Sequence, residues 1–120
     1  MKIIEIAYSC YAVTDIKKAR AFYEGVLGLK TGSVFEGDKM AFIEYEIGLH
    51  TLAIGMGAPN FKPGNTGATV AFEVDDFDGF VKKIKDSKVP VAMDVMDSGV
   101  CHMILIKDPD SNQMMIHKRK

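Results

Sequence analysis

The chain has 120 residues, 48% of them hydrophobic and 26% charged, with 15 basic and 16 acidic side chains and a net charge of −1. A chain this long buries roughly two-thirds of its unfolded surface, enough for a core without metal or disulfide staples, and its apolar content argues against disorder. The balanced charge argues against a nucleic-acid partner, which needs a clustered basic face; the one basic run, Lys118-Arg119-Lys120, reads as a solvated tail.

The first predicted element is a strand, Glu5 to Val13, ending at Thr14-Asp15. Asp15 is a suitable helix N-cap, because a carboxylate accepts from the free N–H groups of a first turn. Ile16, Ala19, Phe22, Tyr23, Val26 and Leu27 then fall on one stripe of a helix, with Gly28 placed as its left-handed C-cap. Strands near 29–35, 39–46 and 49–56 follow, with turns at Gly37-Asp38 and Gly48.

A loop rich in Pro, Gly and Asn, from Gly57 through Pro59, Asn60, Phe61, Pro63 and Asn65 to Gly67, separates this half from the next. The second half repeats the order. A strand from Thr69 to Val74 ends at Asp75-Asp76. A helix follows with Phe77, Phe80, Val81 and Ile84 on its inner stripe and Lys82, Lys83 and Lys85 outside. Pro90 excludes further helix, and strands near 89–96, 100–107 and 113–118 complete the unit. Asp97-Ser98-Gly99 and Asp108-Pro109-Asp110-Ser111-Asn112 supply the turns.

The pattern is βαβββ twice, with Val13-Thr14-Asp15 matching Val74-Asp75-Asp76 at a shift of 61. The expected fold is therefore α+β: two tandem βαβββ modules forming curled mixed sheets around a cavity. One domain covers 1–120, with module one about 1–57, a linker at 57–67 and module two about 68–120.

No apolar run reaches the length of a membrane span, and Met1 leads through Lys2-Ile3-Ile4-Glu5 into a strand pattern rather than a leader. A soluble, cytoplasmic protein with no membrane partner is expected. Cys10 and Cys101 lack metal-type spacing and read as reduced thiols.

Val13-Thr14-Asp15, Ala21-Phe22-Tyr23 and Val26-Leu27-Gly28-Leu29 resemble the first-helix signature of the vicinal oxygen chelate superfamily, which includes glyoxalase I, extradiol dioxygenases and bleomycin-binding proteins. Phe72-Glu73-Val74-Asp75-Asp76 and Lys107-Asp108-Pro109-Asp110-Ser111-Asn112 resemble its second-half signatures, with Ser111 where the family pattern has Gly. The resemblance spans the chain and implies two curled four-stranded sheets around a cavity.

In the metal-using members, four strand positions supply two His and two carboxylates. Carried onto this chain, these positions are Tyr8, Thr69, Ala53 and Met115. None is a good ligand for a divalent metal: Ala has no donor, and the Met thioether is soft and suits Cu(I). No metal and no cofactor is therefore expected.

Strand alternation places Tyr8, Cys10, Thr69, Glu73, Met115 and His117 on the former ligand face. Glu73 interrupts an apolar run; its carboxyl would rise in pKa by desolvation unless paired, and it is the one candidate base. A solvated or paired Glu73 at a strand end is the alternative. His117 is placed to donate to a ligand or to shuttle a proton, or to fray near the terminus. His102, on the strand before the Asp-Pro-Asp turn, is a further ligand-binding candidate, its inward parity open. His50, at a strand start after a Gly turn, reads as solvent-facing.

Met40, Met56, Met93, Met96, Met103, Met114 and Met115 suit either core filling or an adaptable binding surface. Tyr8, Phe35, Phe42 and Tyr45 are the aromatic candidates for stacking on a ligand. Cys10 faces the cavity or is a buried inert thiol. No Ser-His-Asp or Cys-His spacing is legible, so no nucleophile is assigned.

The leading functional reading is a metal-independent small-molecule binding protein of the glyoxalase/bleomycin-resistance type, its ligand a small organic molecule. Three others stay open: a metal-dependent lyase or dioxygenase with ligands relocated to His102, His117, Glu73 and Cys10; a metal-free isomerase using Glu73 as base; and an interaction module with no small ligand. Exposed sheet edges and the resemblance together imply a homodimer.

Overall fold

The computed structural model describes residues 1–59 and 62–120. Asn60 and Phe61 of the predicted loop lie outside them. The chain divides into two compact units, Met1–Pro63 and Gly64–Lys120.

In the first unit, β1 is Ser9–Ala12, α1 is Ile16–Arg20 continuing as a π-helical turn over Ala21–Val26, β2 is Thr31–Glu36, β3 is Ala41–Ile47 and β4 is His50–Met56. The sheet order is β1-β4-β3-β2, with β1 parallel to β4 and the remaining pairs antiparallel. Asp15 caps α1 by accepting from Lys18 N at 3.1 Å, and Gly28 takes the left-handed conformation, at φ 71°. The π-helical closure is marked by Leu27 N donating to Phe22 O at 3.0 Å.

The strand predicted over Glu5 to Val13 shortens to four residues, Ser9–Ala12. Its parallel partner is the cause: β4 begins at His50, and the first rung is Ser9–Leu52. The residues before Ala7 therefore have no strand beside them to complete a ladder. Ile3, Ile4 and Ile6 stand 93%, 81% and 82% exposed.

One face of this sheet carries α1. Tyr11, Val13, Ile43, Tyr45, Leu52 and Ile54 are buried on it, together with Ala19, Phe22, Tyr23 and Leu27 of the helical segment. Tyr23 stacks on Tyr45 at 6.0 Å between centroids and meets Phe22 edge-on at 5.0 Å. Tyr45 donates to Glu24 at 2.9 Å, and Glu24 also receives Arg20 at 2.6 Å. Tyr45 therefore belongs to the helix–sheet core, not to the ligand face for which its aromatic ring made it a candidate.

In the second unit, β5 is Val70–Glu73, α2 is Phe77–Asp86, β6 is Val91–Asp97, β7 is Cys101–Lys107 and β8 is Gln113–Arg119. The order β5-β8-β7-β6 reproduces the first unit's topology, again with the first strand parallel to the last. The rung Cys10–Ala53 recurs 61 and 62 positions later as Ala71–Met115. The fold is thus α+β, built of tandem βαβββ modules.

Asp76 caps α2 by accepting from Gly79 N at 3.0 Å. Val74, Phe77, Ile84, Ile104, Ile106, Met114 and Ile116 form the core. The turn before β8 is organised by Asp108, 2% exposed, whose carboxylate accepts from Asp110 N, Asn112 N and Asn112 Nδ2 at 2.8, 2.9 and 2.8 Å. Ser111 takes φ 66°, the left-handed conformation that Gly adopts without strain. Among the described residues no helix is long and apolar enough to cross a membrane.

Candidate functional site

The face of the first sheet opposite α1 is set by register. Cys10 pairs with Ala53, Ala53 with Glu44, Ala12 with Gly55, Gly55 with Phe42, and Phe42 with Phe35. Directly paired residues point to the same side. The aromatic rings of Phe35 on β2 and Phe42 on β3 therefore stand beside a floor of very small residues, Ala12, Ala53 and Gly55, on β1 and β4. Large walls over a small floor leave a hollow, a cavity of about 240 Å³ lined by Tyr8, Cys10, Phe35, Phe42, Gly55 and residues of the rim near Met40 and Met56.

Tyr8 closes one side, its ring edge-on to Phe42 at 5.4 Å. Burial pushes the Cys10 thiol up to about 11, so at neutral pH it is an uncharged lining group and not a nucleophile. Among the described residues no charged side chain lines this hollow. Its chemistry is that of an apolar, aromatic-walled pocket with one phenol and one thiol at its wall.

The second unit has an equivalent face with different residues. Ala71 pairs with Met115, Met115 with Leu105 and Leu105 with Met93; in the next row Glu73 pairs with His117, His117 with Met103 and Met103 with Met96. Glu73 Oε1 lies 2.6 Å from His117 Nδ1, and Oε2 accepts from Arg119 N at 2.8 Å. An ionised carboxylate only accepts, so Nδ1 carries the proton and Nε2 points away from the pair. Glu73 is exposed, and the Arg119 N–H and His117 hold its carboxyl below the usual range. The direction is opposite to the rise that a desolvated base would show, because the carboxylate is paired.

Of the sequence-derived candidates, the structure brings Tyr8 and Cys10 to one hollow in the first unit. Glu73, Met115 and His117 share one face in the second. Thr69 is exposed, one residue before β5, as Tyr8 lies one residue before β1. His102 lies on the opposite face of β7, tilted against Phe77 at 5.8 Å and 3.3 Å from Asp97. There it lines a second hollow with Asp75, Asp76 and Asp78 at the start of α2. His102 and His117 therefore point to opposite sides of one sheet and cannot hold a common metal ion, which corrects the relocated-ligand set. Among the described residues no three His, Cys, Asp or Glu side chains come close enough to hold a metal ion. His50 is exposed at the start of β4.

Two features were not legible beforehand. The rim of the hollow, Met40, Ala41 and Ala58, comes from strand ends whose positions depend on the exact turn. The gathering of methionines on one face of the second sheet depends on a bulge in β6, for which the sequence carries no marker.

The structure is similar to several solved ones at identities that carry the fold alone. An antibiotic-binding protein, TnmS3 from Streptomyces sp. CB03234, shares 18% identity at a TM-score of 0.81, covering 100% of this chain and 99% of that one. A genomically encoded fosfomycin resistance protein, FosX from Listeria monocytogenes, shares 17% at 0.77, covering 99% and 96%. The trypanothione-dependent glyoxalase I of Leishmania major shares 18% at 0.77, covering 97% and 87%. No curated protein sequence matches the chain at a significant level. A family model does match, over residues 5–116, and with the tandem βαβββ units it shows that the chain belongs to the glyoxalase/bleomycin resistance protein/dioxygenase superfamily.

Proposed function

We propose that the chain is a metal-independent binding protein of the bleomycin-resistance type, which takes a small, uncharged, largely aromatic molecule into the hollow of its first unit. The observation that carries this reading is the hollow itself: about 240 Å³, walled by Tyr8, Phe35 and Phe42 over Gly55, with no charged lining group among the described residues. The volume is below the roughly 300–1,000 Å³ usual for drug-sized ligands, so the occupant is a one- or two-ring molecule. Tyr8 offers it a hydrogen bond at the wall. Ala53 and Met115, at the positions where the resemblance places the carboxylates of metal-using members, offer no hard donor. The similarity to an antibiotic-binding protein agrees with a binding role.

A thermal-shift screen of neutral mono- and bicyclic aromatics against the wild type and Gly55→Val tests the proposal. Stabilisation of the wild type that the valine abolishes supports it; equal stabilisation of both, or of neither, ends it. A second reading retains turnover. Its base is His117, because the Glu73 pair leaves Nε2 as the proton acceptor. Proton exchange from an acidic C–H substrate into D₂O, lost in His117→Gln, distinguishes that reading.

The proposed assembly is a homodimer in the cytoplasm. The exposed Ile3, Ile4 and Ile6 next to the open edge of β1 support the former, and two free thiols the latter. A monomer by light scattering at micromolar concentration would remove the dimer.

A further inference from the structure

The second unit carries a cluster of thioethers that the proposed binding site does not use. Met96, Met103 and His117 are consecutive partners across β6, β7 and β8, and Met115 lies two residues before His117 on the same face. Met93 joins them through a bulge. The rungs Met93–Leu105 and Met96–Met103 span three residues on β6 against two on β7. Without the extra residue Met93 and Met96 would point to opposite faces; with it both point the same way. None of these methionines is buried, whereas Met114, between them in sequence, is fully buried in the core against the helix side. The thioethers are thus gathered on an accessible face, not dispersed as core filling.

His117 completes the arrangement. Its Nδ1 is held by Glu73 at 2.6 Å. A carboxylate on one ring nitrogen fixes the tautomer, orients the ring and raises the basicity of the other nitrogen, the arrangement found behind metal-bound imidazoles. Directly opposed strand positions have Cβ atoms about 5 Å apart. A Met side chain, unbranched with three torsions, covers that gap readily. His117, Met103 and Met115 are therefore immediate neighbours on one face of the sheet, and Met96 follows Met103 on the next strand, all within reach of a shared ion.

Thioether and imidazole donors without a second carboxylate or thiolate select a soft, low-charge cation and reject hard divalent ions. We propose that His117, Met103, Met115 and Met96 form a site for a soft monovalent metal ion of the Cu(I) class, with Glu73 as the positioning residue behind His117. The site is built from residues of the second unit, none of which lines the organic-ligand hollow of the first.

Ag(I) serves as a redox-inert probe. The full chain, labelled with 13C at the Met methyls, is titrated with silver nitrate and followed by carbon–proton correlation. One equivalent moves the methyl signals of Met96, Met103 and Met115 and leaves Met40, Met56 and Met114 in place. Competition with a Cu(I) chelator under reducing, oxygen-free conditions then shows affinity reduced more than about tenfold in His117→Gln and Met103→Leu, and about tenfold in Glu73→Gln. Silver uptake with those methyls unmoved, or uptake that vanishes in Cys10→Ser/Cys101→Ser, assigns the ion to the thiols and overturns the proposal. Unaltered Cu(I) affinity in Met103→Leu, with its fold verified by circular dichroism, overturns it as well.

Discussion

Glu73 and His117 face each other across the parallel pair β5–β8, Oε1 to Nδ1 at 2.6 Å, while the second carboxylate oxygen takes the Arg119 N–H at 2.8 Å. One side chain thus ties the last residue of β5 to two positions near the end of β8. The Arg119 N–H and His117 lower the Glu73 carboxyl below its ordinary value. A lowered carboxyl contributes stability that is present above the unfolded-state pKa and is lost as pH falls through the folded-state value. Amide exchange at Arg119 therefore accelerates as pH falls below the ordinary glutamate range, after correction for intrinsic exchange. In Glu73→Gln that acid-dependent step is absent. An identical acid profile in the two proteins would show that the clip does not hold β8.

Cys10 supplies the second pH prediction. Its thiol, raised by burial to about 11, stays protonated through the neutral range, and only the thiolate reacts with alkylating agents. Iodoacetamide modification of Cys10, read by peptide mass spectrometry, is slow at pH 8 and rises with pH toward about 11. An aromatic occupant of the hollow slows it further. Rapid modification at pH 7 would mean that the thiol is ionised and that the wall it belongs to is not apolar.

The turn before β8 yields a pair of opposed stability effects. Asp108→Ala removes the carboxylate that accepts from the N–H groups of Asp110 and Asn112 and from the Asn112 amide, at a cost of about 2–4 kcal/mol. Ser111→Gly relieves a left-handed backbone at φ 66° and stabilises by about 0.5–1 kcal/mol after the added chain entropy. Urea unfolding of the two variants measures both. Equal midpoints for the wild type and Ser111→Gly would show that the turn carries no backbone strain.

Much of the fold is legible in the sequence because its signals are local. Asp15 and Asp76 cap the two helices as their chemistry predicts, Gly28 ends the first, and the shift of about 61 matches the ladder rungs Cys10–Ala53 and Ala71–Met115. Non-local features are less legible. The predicted strand from Glu5 loses its first half because pairing depends on where β4 begins, not on the apolar pattern of Ile4 and Ile6. Tyr45 is drawn to the core by Tyr23 and Glu24, which are distant in sequence. Alternation carries Tyr8 and Cys10 to one face of the first unit, and Glu73, Met115 and His117 to one face of the second. His102, whose parity was open, falls on the other side. The β6 bulge that unites Met93 and Met96 has no local marker, since it is set by pairing with β7.

The central claim is that the hollow of the first unit receives a small aromatic molecule. The most direct test is a nitrogen–proton correlation titration of the uniformly 15N-labelled chain with 2-naphthol, in the wild type and in Gly55→Val. Saturable shifts centred on Cys10, Phe35, Phe42 and Gly55, absent in the valine variant, are the result predicted. Shifts centred elsewhere, shifts that persist in Gly55→Val, or none at millimolar probe would contradict the claim.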